Sequence, residues 1–209
     1  MTGVSTEWLA ARLAEPARTL GAVLPPSAVE PLAAYTSLVL EWGARINLTG
    51  ARDAESVADD HLADALALLP WLPAGAFRFI DVGSGAGFPG IIVGLLRADA
   101  AGVLLEPTRK KHAFLSHAIR ALGLSGRLDA RAERLEEHLL AGGRGAYDVA
   151  ISRAVWPAAE WLARGAALVK PGGLLMGVEG AAPGELPRGA ERHPYQLAGR
   201  ARAVVTQRA

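Results

Sequence analysis

Ile80-Asp81-Val82-Gly83-Ser84-Gly85-Ala86-Gly87-Phe88-Pro89-Gly90 is the stretch that decides how this chain folds. The apolar run 77–82 has the length of a strand and residues 89–97 carry a helical pattern, so the glycines fall where a strand becomes a helix. Glycine at such a turn lets the backbone take positive φ and approach a bound molecule with no Cβ in the way. Pro89 suits the first helical turn, where no donor is lost. The spacing alone leaves the ligand open. Gly83, Gly85 and Gly87 read as G-x-G-x-G behind an acidic residue, whereas Gly85, Gly87 and Gly90 read as the G-x-G-x-x-G of dinucleotide-binding turns.

Downstream of the turn, short apolar runs alternate with helical stretches, the texture of βαβ units and a parallel sheet. Strands are predicted at 77–82, 102–105, 128–130, 148–151 and 174–178, and helices at 89–97, 109–122, 132–140 and 157–168. Right-handed crossovers between five such strands give an α/β fold with a doubly wound, Rossmann-like sheet. Residues 196–197 and 201–206 are expected to add an antiparallel hairpin at its edge, and 179–189, rich in Gly, Pro and Ala, to be loop. Upstream, apolar residues from Thr6 to Leu72 recur at helical spacing. Three helices are predicted, broken at Leu24-Pro25-Pro26 and at Asn47-Leu48-Thr49-Gly50 and closed by the Pro-rich segment 69–75. The division is expected near Gly75, with a helical N-terminal extension over 1–74 and the sheet domain over 75–209.

With 209 residues, 51% of them apolar, the chain has material for a full core. No apolar run free of charge, Pro and Gly reaches membrane-spanning length, and no basic segment precedes an apolar stretch at the N-terminus, so a cytoplasmic protein without a membrane partner is expected. Zero cysteines exclude disulfides, Cys-ligated metals and thiol catalysis, and the five His stand in no metal-binding or nucleophile pattern, so no metal is expected. The net charge of +1 hides an asymmetry: residues 1–73 hold four Lys+Arg against nine Asp+Glu, residues 74–209 hold 18 against 12. Arg109-Lys110-Lys111 opens a basic run to Arg134 that is either a solvated helix face or a contact for an anionic partner.

Two features favour a nucleoside-type ligand other than a dinucleotide. Asp81 is expected to bring a carboxylate to the mouth of the turn, where a pyrophosphate would be repelled and the sulfonium or ammonium of S-adenosylmethionine attracted. Only about 120 residues follow the turn, too few for a second dinucleotide half and a substrate domain. Glu106 ends the second strand, 19 residues past Gly87, where a carboxylate can accept both ribose hydroxyls of either cofactor.

Glu41-Trp42-x-x-x-Ile46-Asn47-Leu48-Thr49, His61-Leu62-x-Asp64, residues 79–90, Glu106-x-x-x-Lys110-Lys111-x-x-Phe114-Leu115, Arg131-Ala132-Glu133 and Asp148-x-x-x-Ser152-Arg153-Ala154 resemble, in that order, the small-subunit ribosomal RNA guanine-N7 methyltransferases, also called glucose-inhibited division protein B. The resemblance spans roughly residues 35–180. It implies a class I methyltransferase fold and a monomeric bacterial cytoplasmic enzyme. Its reaction would move the methyl group of S-adenosylmethionine to N7 of a guanine in the 530 loop of 16S rRNA (position 527 in the family), within the small ribosomal subunit. A class I methyltransferase acting on another RNA, a protein or a small molecule is the alternative. By the resemblance, Gly83, Gly85 and Phe88 hold the cofactor, Ala132 and Glu133 face its adenine, and Arg153 sits beside cofactor and substrate as the catalytic residue. The chain departs from the family at Ala65, where Ser is usual, at Glu179-Gly180, where Lys-Gly is usual, and at Arg202, where His is frequent.

Guanine N7 carries an in-plane lone pair and no proton, so attack on a sulfonium methyl needs alignment and desolvation rather than a general base. Methylation places positive charge on the base, which makes Arg153 a ligand for phosphate, cofactor carboxylate or the guanine O6 edge rather than an acid. N7 lies on the major-groove edge, closed to side chains in an A-form duplex, so the target must be unpaired or flipped.

Overall fold

The computed structural model describes residues 3–180 and 183–209. A seven-stranded sheet of β1 (Phe77–Val82), β2 (Ala100–Leu105), β3 (Leu128–Arg131), β4 (Tyr147–Arg153), β5 (Val169–Glu179), β6 (Glu191–Leu197) and β7 (Arg200–Arg208) runs in the order β3-β2-β1-β4-β5-β7-β6. The first five strands pair in parallel, and β7 enters antiparallel between β5 and β6. The order reverses between β1 and β4, so the crevice where open α/β sheets take ligands lies at the C-terminal ends of these two strands.

Helices α1 (Thr6–Thr19), α2 (Pro26–Gly43), α3 (Ala54–Val57), α4 (Ala63–Leu66), α5 (Gly90–Leu96) and α6 (Arg109–Ala121) contribute their buried residues to a core on one face of the sheet. α7 (Leu135–His138) and α8 (Ala158–Gly165) pack on the other. Alternation along β1 sorts the side chains: Phe77 and Phe79 join the first core, Ile80 and Val82 the second. In β4 the same alternation sends Val149 and Ile151 toward the N-terminal helices, and Arg153 follows them. The first core runs without a break from Leu9 in α1 to Val204 in β7.

Local chemistry fixes the helix ends. Ser5 Oγ accepts the Trp8 N–H at 3.2 Å to start α1, Pro26 opens α2 where its missing donor costs nothing, and Asp53 accepts the Ser56 N–H at 2.8 Å to start α3. The third N-terminal helix is not continuous, because a π-helical turn at Ala58–Leu62 separates α3 from α4. The helix predicted over 132–140 begins only at Leu135, since the Glu137 carboxylate caps the Arg134 N–H at 2.7 Å; Arg134 is extended, and 132–133 belong to neither helix nor strand. Pro89 stands at the N-cap of α5, one residue before the helix. The edge hairpin is present and longer than predicted, turning at Ala198-Gly199 with φ of 48° and 72°, the two positive values a tight I′-type hairpin needs. Within the loop predicted over 179–189, Glu179 closes β5, residues 183–189 form neither helix nor strand, and residues 181–182 lie outside the described residues. No described helix is long and apolar enough to cross a membrane.

Candidate active site

The glycine turn is tied to the end of β2. Gly83 and Ser84 both donate their N–H to the Leu105 carbonyl, at 2.9 and 3.0 Å. Gly83 has φ +76°, and a Cβ there would lie 2.4 Å from Cγ2 of Val155. At Gly87, φ +90°, a Cβ would lie 2.7 Å from Cδ1 of Ile91. These two positions therefore admit only glycine without rearrangement. Glu106 is buried, and its oxygens accept the N–H groups of Gly85 at 3.0 Å and Thr108 at 2.8 Å. Each oxygen keeps a lone pair for a ligand hydroxyl.

Asp81 does not stand at the mouth of the turn. Alternation along β1 places it on the face of Phe77 and Phe79, beneath the turn, where it is 1% exposed. Its Oδ2 accepts the Gly90 N–H at 2.9 Å, anchoring the start of α5, and its Oδ1 has no partner among the described residues. Burial pushes its carboxyl up to about 7. It supports the turn from below.

Above the turn opens a cavity of about 550 Å³ lined by Leu48, Thr49, Gly50 and His61 on the N-terminal side, and by Gly83, Gly85, Phe88, Glu106, Lys111, Arg153 and Val155 among others. Of the predicted residues, Gly83, Gly85, Phe88, Glu106 and Arg153 thus meet in one place. Ala132 and Glu133 follow β3 directly beside the end of β2, where the Glu106 N–H donates to the Arg131 carbonyl at 3.0 Å, but neither lines this cavity. Glu133 Oε2 lies 2.8 Å from Nδ1 of His138, whose Nε2 lies 2.7 Å from the Tyr147 hydroxyl. Arg109 and Lys110 are exposed at the start of α6, with Lys111 reaching the cavity.

The second half of the site is a charged cluster. Nη2 of Arg153 donates to the Asp60 carbonyl at 2.8 Å and to Nδ1 of His61 at 2.9 Å, and lies 3.3 Å from Oδ2 of Asp64. Asp64 is fully buried and accepts the Tyr195 hydroxyl at 2.9 Å and the Arg202 guanidinium. Arg200 and Arg202 reach Asp60 at 2.9 and 3.4 Å. Burial holds the Asp64 carboxyl above its ordinary value despite the two arginines. His61 stacks on Phe88, ring centroids 4.5 Å apart, and burial beside Arg153 lowers it to about 4. His61 and Asp64 enter the sequence reading only within the motif that carries the resemblance, Arg202 only as a departure from the family, and Tyr195 not at all; the fold brings all four to Arg153.

Arg153 and Ala154 also belong to a second cavity of about 440 Å³, which includes Trp156, Glu179 and Arg202. Ala154 takes φ 59° as the chain leaves β4. Trp156 lines this space and stacks on Trp161, centroids 5.9 Å apart. Glu179, the departure from the family's Lys, pairs with Arg192 at 2.7 Å, so the reversed charge is neutralised from the neighbouring hairpin.

Residues 28–206 match the family model described as GidB, rRNA small subunit methyltransferase G. Ribosomal RNA small subunit methyltransferase G of Halorhodospira halophila is 39% identical over 157 residues, 75% of this chain and 72% of that protein. Its counterpart in Xanthomonas campestris is 36% identical over 178 residues, 81% and 80% of the two chains. Among solved structures, a proposed O-methyltransferase from Klebsiella pneumoniae superposes with a TM-score of 0.61 at 18% identity, covering 84% of this chain and 90% of that one. That last likeness concerns the fold alone, a doubly wound α/β sheet. The sequence relatives and the family model reach further: this chain belongs to the rRNA small subunit methyltransferase G family.

Proposed function

We propose that the chain transfers the methyl group of S-adenosylmethionine to N7 of a guanine in the 530 loop of 16S rRNA, acting as a cytoplasmic monomer on the small ribosomal subunit. The observation that carries this reading, beyond family membership, is the wall formed by Arg153 and Ala154 between the glycine-turn cavity, at the switch point of the sheet, and a second cavity over the ends of β4 and β5. A base brought against this wall from the glycine-turn side would meet a donor held in the turn.

The residues present fit the cofactor. Glycine at position 85 leaves open a space in which a Cβ would meet only the Gly83 carbonyl oxygen, at 3.9 Å, and Glu106 retains free lone pairs beside it. Gly83, Gly85, Phe88 and Glu106 would hold the nucleoside and methionine parts, with Ala132 and Glu133 at the adenine end. When bound, S-adenosylmethionine supplies an electrophilic methyl group on a sulfonium. The protein's task is then to orient the base and exclude water. Arg153 serves as a rigid donor, its Nη2 engaged by Asp60 and His61 and the rest of its fork available to phosphate, cofactor carboxylate or the guanine edge. Arg109 and Lys110 offer exposed cations for the RNA backbone.

Small subunits lacking the modification, incubated with the protein and labelled cofactor, are expected to gain one N7-methylguanine in the 530 loop, located by cleavage at the alkylated base. Methylation at another atom or another RNA region overturns the assignment.

A further inference from the structure

We propose that the Thr49 hydroxyl is the group that reads O6 of the target guanine, an inference that rests on the function proposed above and deepens it. It follows from accounting for the hydrogens around one oxygen. Arginine donates and never accepts, so Nδ1 of His61, 2.9 Å from Nη2 of Arg153, is an acceptor and carries no hydrogen. The ring is neutral with its hydrogen on Nε2, the form that burial beside a cation also favours. Nε2 lies 2.6 Å from Oγ1 of Thr49 and donates to it, and the Ala51 N–H donates to the same oxygen from 3.1 Å. Both lone pairs of the hydroxyl are then taken. Its own hydrogen has no acceptor among the described residues, and Thr49 lines the glycine-turn cavity together with His61 and Arg153.

Arg153 therefore sets, through His61, the polarity of an oxygen that in isolation could donate or accept. A donor-only hydroxyl matches a carbonyl oxygen. Guanine presents O6 next to N7 on one edge, whereas adenine presents an amino group there and would meet donor with donor. Neutrality matters as well. The ring becomes cationic as N7 is methylated, so an uncharged donor at O6 supports the product where a second cation would oppose it. The cofactor carboxylate is better matched by Lys111 and Arg153 in the same cavity.

The test uses small-subunit particles assembled on 16S rRNA carrying either guanine or 2,6-diaminopurine at the methylated position; diaminopurine keeps N7 and replaces O6 by an amino group. Single-turnover rates are measured for the parent, Thr49→Val and Thr49→Ser, with S-adenosylmethionine affinity measured by calorimetry. The parent is expected to favour guanine by about a hundredfold, because a buried donor left facing a donor is costly. Thr49→Val is expected to slow guanine about tenfold, leave diaminopurine nearly unchanged and keep cofactor affinity within twofold, while Thr49→Ser restores the preference. The guanine preference is a ratio within each folded variant, so a loosened loop alone does not move it. A preference unchanged in Thr49→Val overturns the proposal, as does a tenfold loss of cofactor affinity, which would assign the hydroxyl to the cofactor carboxylate. Failure of the underlying reading looks different: the parent then places no methyl group on N7 of guanine in the natural particle.

Discussion

Two buried aspartates, Asp81 and Asp64, stand on the same side of the sheet and are treated oppositely. Asp81, under the glycine turn, holds one backbone N–H, and among the described residues no cation pairs with it and its second oxygen is unpartnered. Asp64, under Arg153, is held by two arginines and a tyrosine. The turn is thus an object of backbone, built from a dozen consecutive residues and the end of the adjoining strand. The Arg153 wall is an object of charge, assembled from the π-helical turn, β4 and the terminal hairpin. One region is made by glycine's conformational freedom, the other by electrostatic pairing in a poorly solvated place.

If that contrast is right, the largest effect comes from breaking the charged half. Asp64→Ala leaves Arg153 and Arg202 without their buried counter-charge and is expected to cost about 3–5 kcal/mol of stability, read from denaturant midpoints. A loss below about 1 kcal/mol would mean the wall is solvated after all.

Next comes the pH dependence of the other aspartate. Unfolded, Asp81 loses its proton near 4; folded, it keeps it up to about 7. The folded state binds the extra proton in that window, so stability is fully present below about pH 4 and falls as pH rises to about 7. Asp81→Asn is expected to remove a decline on the order of 3 kcal/mol from a stability profile measured between pH 4 and 8. An identical slope in the variant would show that Asp81 ionises freely.

Gly83→Ala sharpens the backbone half. Its Cβ would press on Val155 from a residue at positive φ, and S-adenosylmethionine affinity measured by calorimetry is expected to fall at least tenfold, about 1.4 kcal/mol, in a protein that still folds. The smallest effect is expected at Arg192→Ala. Its partner Glu179 is nearly buried but Arg192 is about one-third exposed, so unfolding midpoints should shift by no more than about 1 kcal/mol, less at high salt. A larger change would make Glu179 part of the wall.

The same contrast explains what was legible in the sequence. The doubly wound sheet, the hairpin and the positions of Gly83, Gly85 and Glu106 depend on local periodicity and on glycine at fixed spacing, which a linear reading detects, whereas Phe88 is found only through the resemblance. Asp81 was found but misplaced, because the G-x-G spacing says nothing of which strand face the carboxylate occupies; counting from Phe77 and Phe79 would have put it beneath the turn. The pairings around Arg153 are hidden for another reason: the motif His61-Leu62-x-Asp64 names two members but not what they hold. Asp64 is bound in turn to Tyr195 and Arg202, 131 and 138 residues away, and no local pattern encodes such pairings. Arg202 read as a departure from a family habit of His, whereas in the fold it is a counter-charge for Asp64.

That separation of 138 residues bears on how the chain acquires its structure. The turn between β1 and α5 closes over a dozen residues and can form as soon as β2 is in place. The charge on Asp64 waits for a strand near the end of the chain, and loop-closure entropy makes such a contact late. During synthesis, a nascent chain emerged only to residue 180 would carry the glycine turn while Asp64 still lacked Arg202 and Tyr195. The β6–β7 hairpin therefore supplies a second counter-charge for Asp64, beside Arg153, only after the glycine turn has formed.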